Sequence, residues 1–259
     1  METGITTAVE SAYRAAHQHA LVIAHDDPGV VRLTGDDRLD LLNRISTNDL
    51  RDLAAGRWAR TILTNALARI VDVVTVFQRS SDSLLMTSPG KAADVMAWLS
   101  GYIFFQDEVT VSVLDLDFGL WGIYGHHAAD RLPDLGISAL PDQAGTFTEG
   151  EETILWKVDQ PAPGGVQVLL SGTTAARARD VWTSAAELAA VQAFEILRIE
   201  SGLPRAGFEI TDETIPLEVG LWNEVSFTKG CFIGQEILAR MESRGQLARR
   251  LVLLRFANA

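Results

Sequence analysis

Residues 229–236 read KGCFIGQE and hold the single cysteine of the chain, Cys231. A thiol reacts as its thiolate, and nearby positive potential favours that form. Lys229 stands two residues ahead of it. A helix predicted from Gly234 or Gln235 would turn its free N–H groups back toward the loop. Gly230 and Gly234 permit tight turns or a close approach to a ligand. The arrangement suits a polarised thiol. The same residues also fit a small buried hydrophobe in a loop, the commoner fate of a lone cysteine.

Two acids are the other candidates. In RIESGLPRAGFEI, Glu200 falls at the end of a predicted helix, two residues after Arg198. A fixed carboxylate can accept two adjacent N–H donors side by side. Glu200 equally fits a solvated helix acid or an ion-pair partner of Arg198. In LTNALARIVDVVTVF (63–77) the acid is Asp72, which fits the solvent-facing position of an alternating strand.

KGCFIGQE resembles the K-G-C-[FY]-x-G-Q-E signature of the YgfZ family of folate-binding proteins, which serve iron–sulfur cluster assembly or repair. That family is related to the glycine-cleavage T-protein, an aminomethyltransferase that uses tetrahydrofolate. Lys229, both glycines, Cys231, Gln235 and Glu236 match, with Phe232 an accepted substitute for tyrosine. RIESGLP is similar to the R-[LI]-E-x-G segment shared by both branches, continuing to a D-E-x-x-P-like stretch with Asp212, Glu213 and Pro216. In T-proteins its glutamate contacts the pterin, a role the resemblance carries to Glu200.

Residues 63–77 resemble the superfamily's N-x-x-G-[GR]-[IL]-x-D-D stretch, whose aspartate sits beside the reacting folate nitrogen. Here Ala68 replaces the glycine, and Val73 stands where a second acid would follow Asp72. VVRLTGDDRLDLLNRISTNDL is similar to a further block, ending in a turn at Asn48 and Asp49.

The resemblance implies a tetrahydrofolate cofactor, or a one-carbon derivative of it. It implies Cys231 and Asp72 as catalytic residues and Glu200, Arg198, Lys229, Gln235 and Arg240 as cofactor contacts, with no metal. The implied partners are iron–sulfur assembly proteins or client enzymes. From Lys229 onward, Arg240, Arg244, Arg249, Arg250 and Arg255 add a basic rim suited to a folate's glutamate tail. A solvated helix face explains the same charges. A one-carbon transferase and a scaffold without ligand stay open beside the folate-binding reading.

These residues need a frame. A helix is predicted near 7–19, a strand at 30–35 and a helix at 36–45 with Leu39, Leu42 and Ile45 on one side. Strands follow at 58–65, 69–77 and 83–88. A helix at 88–102 opens on Ser88 and Pro89, and a strand runs from 107. A similar order recurs: strand 118–125, a short helix, strands 153–160 and 166–172, and a helix at 173–190. Helices end near Gly202 and over 234–245, and a strand begins at 249. The pattern predicts an α+β protein with an internal pseudo-repeat and antiparallel sheets carrying helices on one face.

The resemblance to the T-protein type further implies a ring-like body around a folate-sized hole and a final β-barrel, the latter expected to be absent or truncated. The expected divisions are 1–117, 118–190 and 191–259.

Composition excludes several classes. The formal net charge of −12 argues against whole-surface binding to nucleic acid or anionic lipid. One cysteine excludes an internal disulfide and a cluster held by this chain alone. No apolar run reaches a membrane span, and the start lacks a signal-peptide pattern, so a cytoplasmic protein is expected. Phosphate-loop, zinc-protease and nucleophile-elbow motifs do not occur. His126 and His127 read as solvated surface residues.

Overall fold

The computed structural model describes residues 2–114, 116–135, 137, 140–141, 143–182, 187–245 and 247–254. In chain order the elements are α1 (Glu2–Gln18), β1 (Leu21–Ala24), β2 (Gly29–Thr34), α2 (Arg38–Ile45), β3 (Arg57–Thr64), β4 (Ile70–Gln78) and β5 (Asp82–Thr87). Then come α3 (Ala92–Ser100), β6 (Thr110–Val113), β7 (Phe118–Tyr124), a 3-10 helix over Ala128–Leu135, β8 (Phe147–Glu149), β9 (Thr153–Val158) and β10 (Gly165–Ser171). The chain finishes with α4 (Gly172–Trp182), α5 (Glu187–Glu200), a 3-10 turn over Pro216–Val219, and α6 (Gln235–Arg244). Among the described residues no helix is long and apolar enough to cross a membrane.

The protein is α+β, with two antiparallel sheets ordered β1-β7-β10-β9-β8 and β3-β4-β5-β2-β6. Read from opposite ends, the two orders coincide. Each has a strand, a helical segment, a three-strand meander and a helix. The pseudo-repeat expected from element order is therefore present in the topology.

Two compact units result. One comprises Met1–Asp27 with Asp115–Leu203, the other Pro28–Leu114 with Pro204–Ala259. This differs from the consecutive divisions at 117 and 190. The reason is strand pairing: β1 joins β7 from a hundred residues away, carrying the N-terminal helix into the later unit.

In the unit of residues 28–114 and 204–259, adjacent residues of β3 face opposite ways. Leu63 joins Leu41, Leu42 and Ile45 of α2 and Val95 and Leu99 of α3. Ile62 joins Leu217, Val225, Phe232 and Leu238 of the C-terminal segment. Burying each such side chain stabilises by about 1.5–3 kcal/mol, so this segment is held as firmly as the helices opposite. Residues 249–254 form no strand, contrary to expectation. No barrel strand occurs there.

In the unit of residues 1–27 and 115–203, helices cover both faces of the sheet rather than one. Trp121, Ile123 and Val168 pack under the first 3-10 helix and α4, through Leu132, Ala175 and Ala178. Leu21 turns the other way, to Ala16 of α1 and Ala193 and Leu197 of α5.

On that second face the Tyr124 hydroxyl lies 2.8 Å from His25 Nε2 and accepts from Gln167 Nε2 at 3.1 Å. The Phe194 ring stands edge-on to His25 at 4.8 Å. Since Tyr124 accepts from Gln167, its own proton is directed at His25, which fits the neutral imidazole. Burial pushes the His25 pKa down to about 4, against a small opposing pull from Asp26. Above pH 6.5 His25 is neutral whether the chain is folded or not. As pH falls from 6.5 toward 4, the unfolded chain takes up a proton that the folded one refuses. Stability should therefore fall by about 3 kcal/mol over this window. Thermal unfolding of His25→Gln should show a flatter slope between pH 6.5 and 4.5 than the parent protein; equal slopes would contradict this.

Candidate functional site

The signature loop belongs to the unit of residues 28–114 and 204–259. Its exposed and buried positions reverse the reading from composition: Cys231 is exposed, while Lys229 and Phe232 on either side are buried. Phe232 takes the core place that a lone cysteine would fill, beside Ile62, Ala68 and Leu238.

Lys229 turns its side chain into the protein. Its Nζ donates to the carbonyls of Asn43, Ser46 and Asn48 at 2.7, 2.9 and 2.5 Å. An ammonium has three protons, and all three are used. These carbonyls lie at the C-terminal end of α2, where peptide oxygens lack helical partners and carry partial negative charge. Burial pushes the Lys229 pKa down to about 8, with Asp49 opposing.

The turn at residues 46–48 is the other half of this contact. Thr47 Oγ1 donates to the Glu224 carbonyl at 2.6 Å, and Ser226 N–H donates to the Thr47 carbonyl at 2.9 Å. Asn48 Nδ2 donates to the Arg60 carbonyl at 2.8 Å. The sequence shows residues 46–49 as turn formers that stop the helix; Ser226 carries no signal of its own.

At its far end the loop meets the β3–β4 turn. Thr64 Oγ1 donates to the Ile233 carbonyl at 2.6 Å. Gly234 has φ +83°, and a Cβ there would lie 2.9 Å from both Ala68 Cα and the Asn65 carbonyl oxygen. Only glycine combines that backbone conformation with so close an approach. Gln235 opens α6 half-buried, its N–H donating to the Phe232 carbonyl at 3.2 Å. Arg240 is exposed and pairs with Glu236 one turn earlier.

Half of the basic rim is thus engaged within the protein. Besides Lys229 and Arg240, Arg249 reaches the buried Glu218 at 3.3 Å and the Glu213 carbonyl at 3.1 Å. Arg244 and Arg250 are exposed, and Arg255 lies outside the described residues.

Asp72 is 4% exposed, not a solvent-facing strand residue. Its Oδ1 accepts from Ser88 Oγ at 2.6 Å and Val73 N–H at 2.9 Å; its Oδ2 accepts from Ser88 N–H at 3.0 Å. Burial pushes its pKa up, while Ser88, Val73 and Lys91 oppose. Ser88 therefore braces this carboxylate instead of opening a helix, and α3 starts later, after Lys91.

Glu200 and Arg198 belong to the other unit, at the end of α5. Arg198 is buried and turns to Glu195, with Nη2 at 2.8 Å from its carboxylate, and to the Leu203 carbonyl at 3.1 Å. The pairing of Glu200 with Arg198 is not what the structure has, and Arg198 serves the helix end. Glu200 is exposed. The Tyr13 hydroxyl of α1 donates to Glu200 Oε2 at 2.8 Å. Burial and the carboxylate raise the Tyr13 pKa, so the hydroxyl stays a donor at neutral pH. Among the described residues Oε1 has no hydrogen bond, so it can accept donors from outside. Tyr13 had no signature in the sequence. His126 and His127 are exposed, and no group of metal-binding side chains occurs among the described residues.

Three comparisons bear on this arrangement. Residues 2–159 match the GCVT N-terminal domain family. A protein of Arabidopsis thaliana named as a chloroplastic transferase is 28% identical over 233 residues, which are 86% of this chain and 53% of that one. The tRNA-modifying protein YgfZ of Klebsiella pneumoniae is 29% identical over 230 residues, 87% of this chain and 68% of its own length. The glycine cleavage aminomethyltransferase T from Bartonella henselae superposes with a TM-score of 0.76 at 22% identity, over 91% of this chain and 66% of that one. The chain thus spans about half the length of the Arabidopsis relative and two thirds of the Bartonella structure, whose fold it shares. On these grounds the chain belongs to the GCVT N-terminal domain family.

Proposed function

We propose that this protein binds tetrahydrofolate, or a one-carbon derivative of it, and supports assembly or repair of iron–sulfur clusters in the cytoplasm. The observation that carries the reading is the exposed Glu200 carboxylate, steadied on one oxygen by Tyr13 and open on the other. A pterin edge presents adjacent N–H donors, and an ionised acceptor makes the stronger kind of hydrogen bond with them. Bound folate would supply one-carbon chemistry; the chain's part is to orient the ring through Glu200.

Cys231 is exposed, as a thiol must be to meet a partner. One thiol cannot hold a cluster permanently, so its role is transient and shared with a partner or client. The name of the Klebsiella relative points to tRNA modification as a process in which a client would work. A one-carbon transferase of the T-protein type needs an acid free to move a proton. Asp72 has both oxygens committed to Ser88 and Val73, which favours binding over transfer.

Titration calorimetry with tetrahydrofolate tests the reading. The protein should show saturable binding, and Glu200→Ala should weaken it about 10- to 100-fold, the worth of one to two charge-assisted hydrogen bonds. No binding by the unaltered protein, or equal binding by Glu200→Ala, would overturn it.

A further inference from the structure

We infer that Lys229 is a positioning residue for the Cys231 thiol: its ammonium locks the signature loop onto the end of α2, and the thiol's placement depends on that lock. The inference rests on the proposed role of Cys231 and deepens it. It gives the lysine of KGCFIGQE a part that the folate reading, in which it faces ligand, does not.

The geometry is local and closed. Asn43, Ser46 and Asn48 converge their carbonyls on one Nζ, an arrangement that fits a compact tetrahedral donor and not a planar guanidinium. Lys229 has no carboxylate within ion-pair distance among the described residues, so the peptide oxygens are its direct partners. Its own N–H donates to Ser226 Oγ at 3.3 Å, and Ser226 N–H in turn to the Thr47 carbonyl at 2.9 Å. Segment 224–229 is thereby stitched to the turn after α2.

Three residues on, Phe232 is buried in the core and the Ile233 carbonyl is held by Thr64. Gly230 and Cys231 bridge these two anchors, both exposed and with no hydrogen bond of their own among the described residues. A two-residue bridge between fixed ends has few conformations. If the Lys229 anchor is released, the thiol gains the freedom of a longer loop.

Because Cys231 is the only cysteine, a nitroxide attached to it reports on this loop without further engineering. The unaltered protein should give a restricted spectrum. Lys229→Met, which keeps the stem and removes the donors, should shorten the label's correlation time about threefold or more, into the range of free loop motion. Hydrogen exchange should rise at residues 226–232 and at 46–48, and stay unchanged in β3–β5.

An unchanged spectrum in the folded variant would overturn the inference. So would faster exchange spread evenly over that unit, since the lysine would then be a general brace. If Lys229→Met does not fold, Lys229→Gln keeps two donors on a shorter stem and should show the same change at smaller amplitude.

A cellular arm reads the consequence. Lys229→Met should lower iron–sulfur enzyme activity as much as Cys231→Ser, with no further loss in the double variant. Full activity of Lys229→Met beside a deficient Cys231→Ser overturns the positioning role. Full activity of Cys231→Ser overturns the reading of the thiol itself, while the spectrum still decides whether the lock exists, so the two failures are distinct.

Discussion

Replacing Gly35 by alanine should cost the unit of residues 28–114 and 204–259 a large part of its stability. Gly35 joins β2 to α2 at φ +100°, and a Cβ there would fall 1.8 Å from the Glu108 carbonyl oxygen and 2.6 Å from its carbon. The obstacle is backbone and cannot swing aside. Nor is its segment loose: Glu108 N–H donates to Asp37 Oδ2 at 2.9 Å, and two residues later Thr110 pairs with Thr34 in the sheet. Relief of the clash must break one of these. Positive φ alone costs a side chain about 1–3 kcal/mol, and the loss of a solvent-exposed hydrogen bond about 0.5–1.5 kcal/mol more. A total on the order of 3 kcal/mol would lower the melting temperature by about 6–12 °C, at about 2–4 °C per kcal/mol for a chain of this size. Gly56→Ala is the control. Gly56 has φ +82°, but an alanine methyl there would meet nothing within 4 Å, so only the backbone strain applies. Thermal unfolding should separate the two variants clearly, and equal shifts would mean that the Glu108 contact carries no cost.

What the sequence disclosed and what it hid divide along one physical line. Elements whose pattern is complete within a few residues were legible. The β2–α2 block, the β3–β4 hairpin and α6 lie within a few residues of where periodicity and turn formers put them. Features defined by a distant partner were not. LVIA at 21–24 follows α1 almost directly and is a strand only because β7 pairs with it; three-residue β8 is likewise made by β9. The two units interleave for the same reason. Among the candidate residues, Glu200 was correctly placed at a helix end, yet its Tyr13 partner is 187 positions away. Ser88 looked like a helix opener, but Asp72 had claimed it from the adjoining strand. Lys229 was read beside the thiol as a source of positive potential. Its true neighbours, the carbonyls of residues 43–48, have no side-chain signature at all, since every residue owns a carbonyl.

Asp82→Asn should be the most damaging single charge change in the same unit, and its pH dependence should identify the cause. Asp82 is fully buried at the start of β5. Its Oδ1 accepts from Arg79 Nε at 2.5 Å, and its Oδ2 accepts from Arg79 Nη2 at 2.6 Å and Arg32 Nε at 2.5 Å. Arg32 lies on β2 and Arg79 just past β4, so one carboxylate ties three neighbouring strands. Asparagine keeps a single acceptor and turns an N–H₂ donor toward a guanidinium. Removing one partner of a buried pair typically costs 3–5 kcal/mol; because both arginines are partly exposed, about 3 kcal/mol is expected here. Desolvation would raise the Asp82 pKa, but the two arginines outweigh it and hold the carboxyl below its ordinary 3.8. With a folded pKa below the unfolded one, the stabilisation is complete above about pH 4 and is lost as pH falls through the folded value. The gap between parent and variant should therefore be constant from pH 7 to about pH 4 and close only below it. The His25 effect runs over a different window, 6.5 to about 4, and in the other unit. Acid titration of the unfolding free energy should thus show two separate steps, the upper removed by His25→Gln and the lower by Asp82→Asn. A gap that already narrows above pH 5 in Asp82→Asn would assign the lower step to some other group.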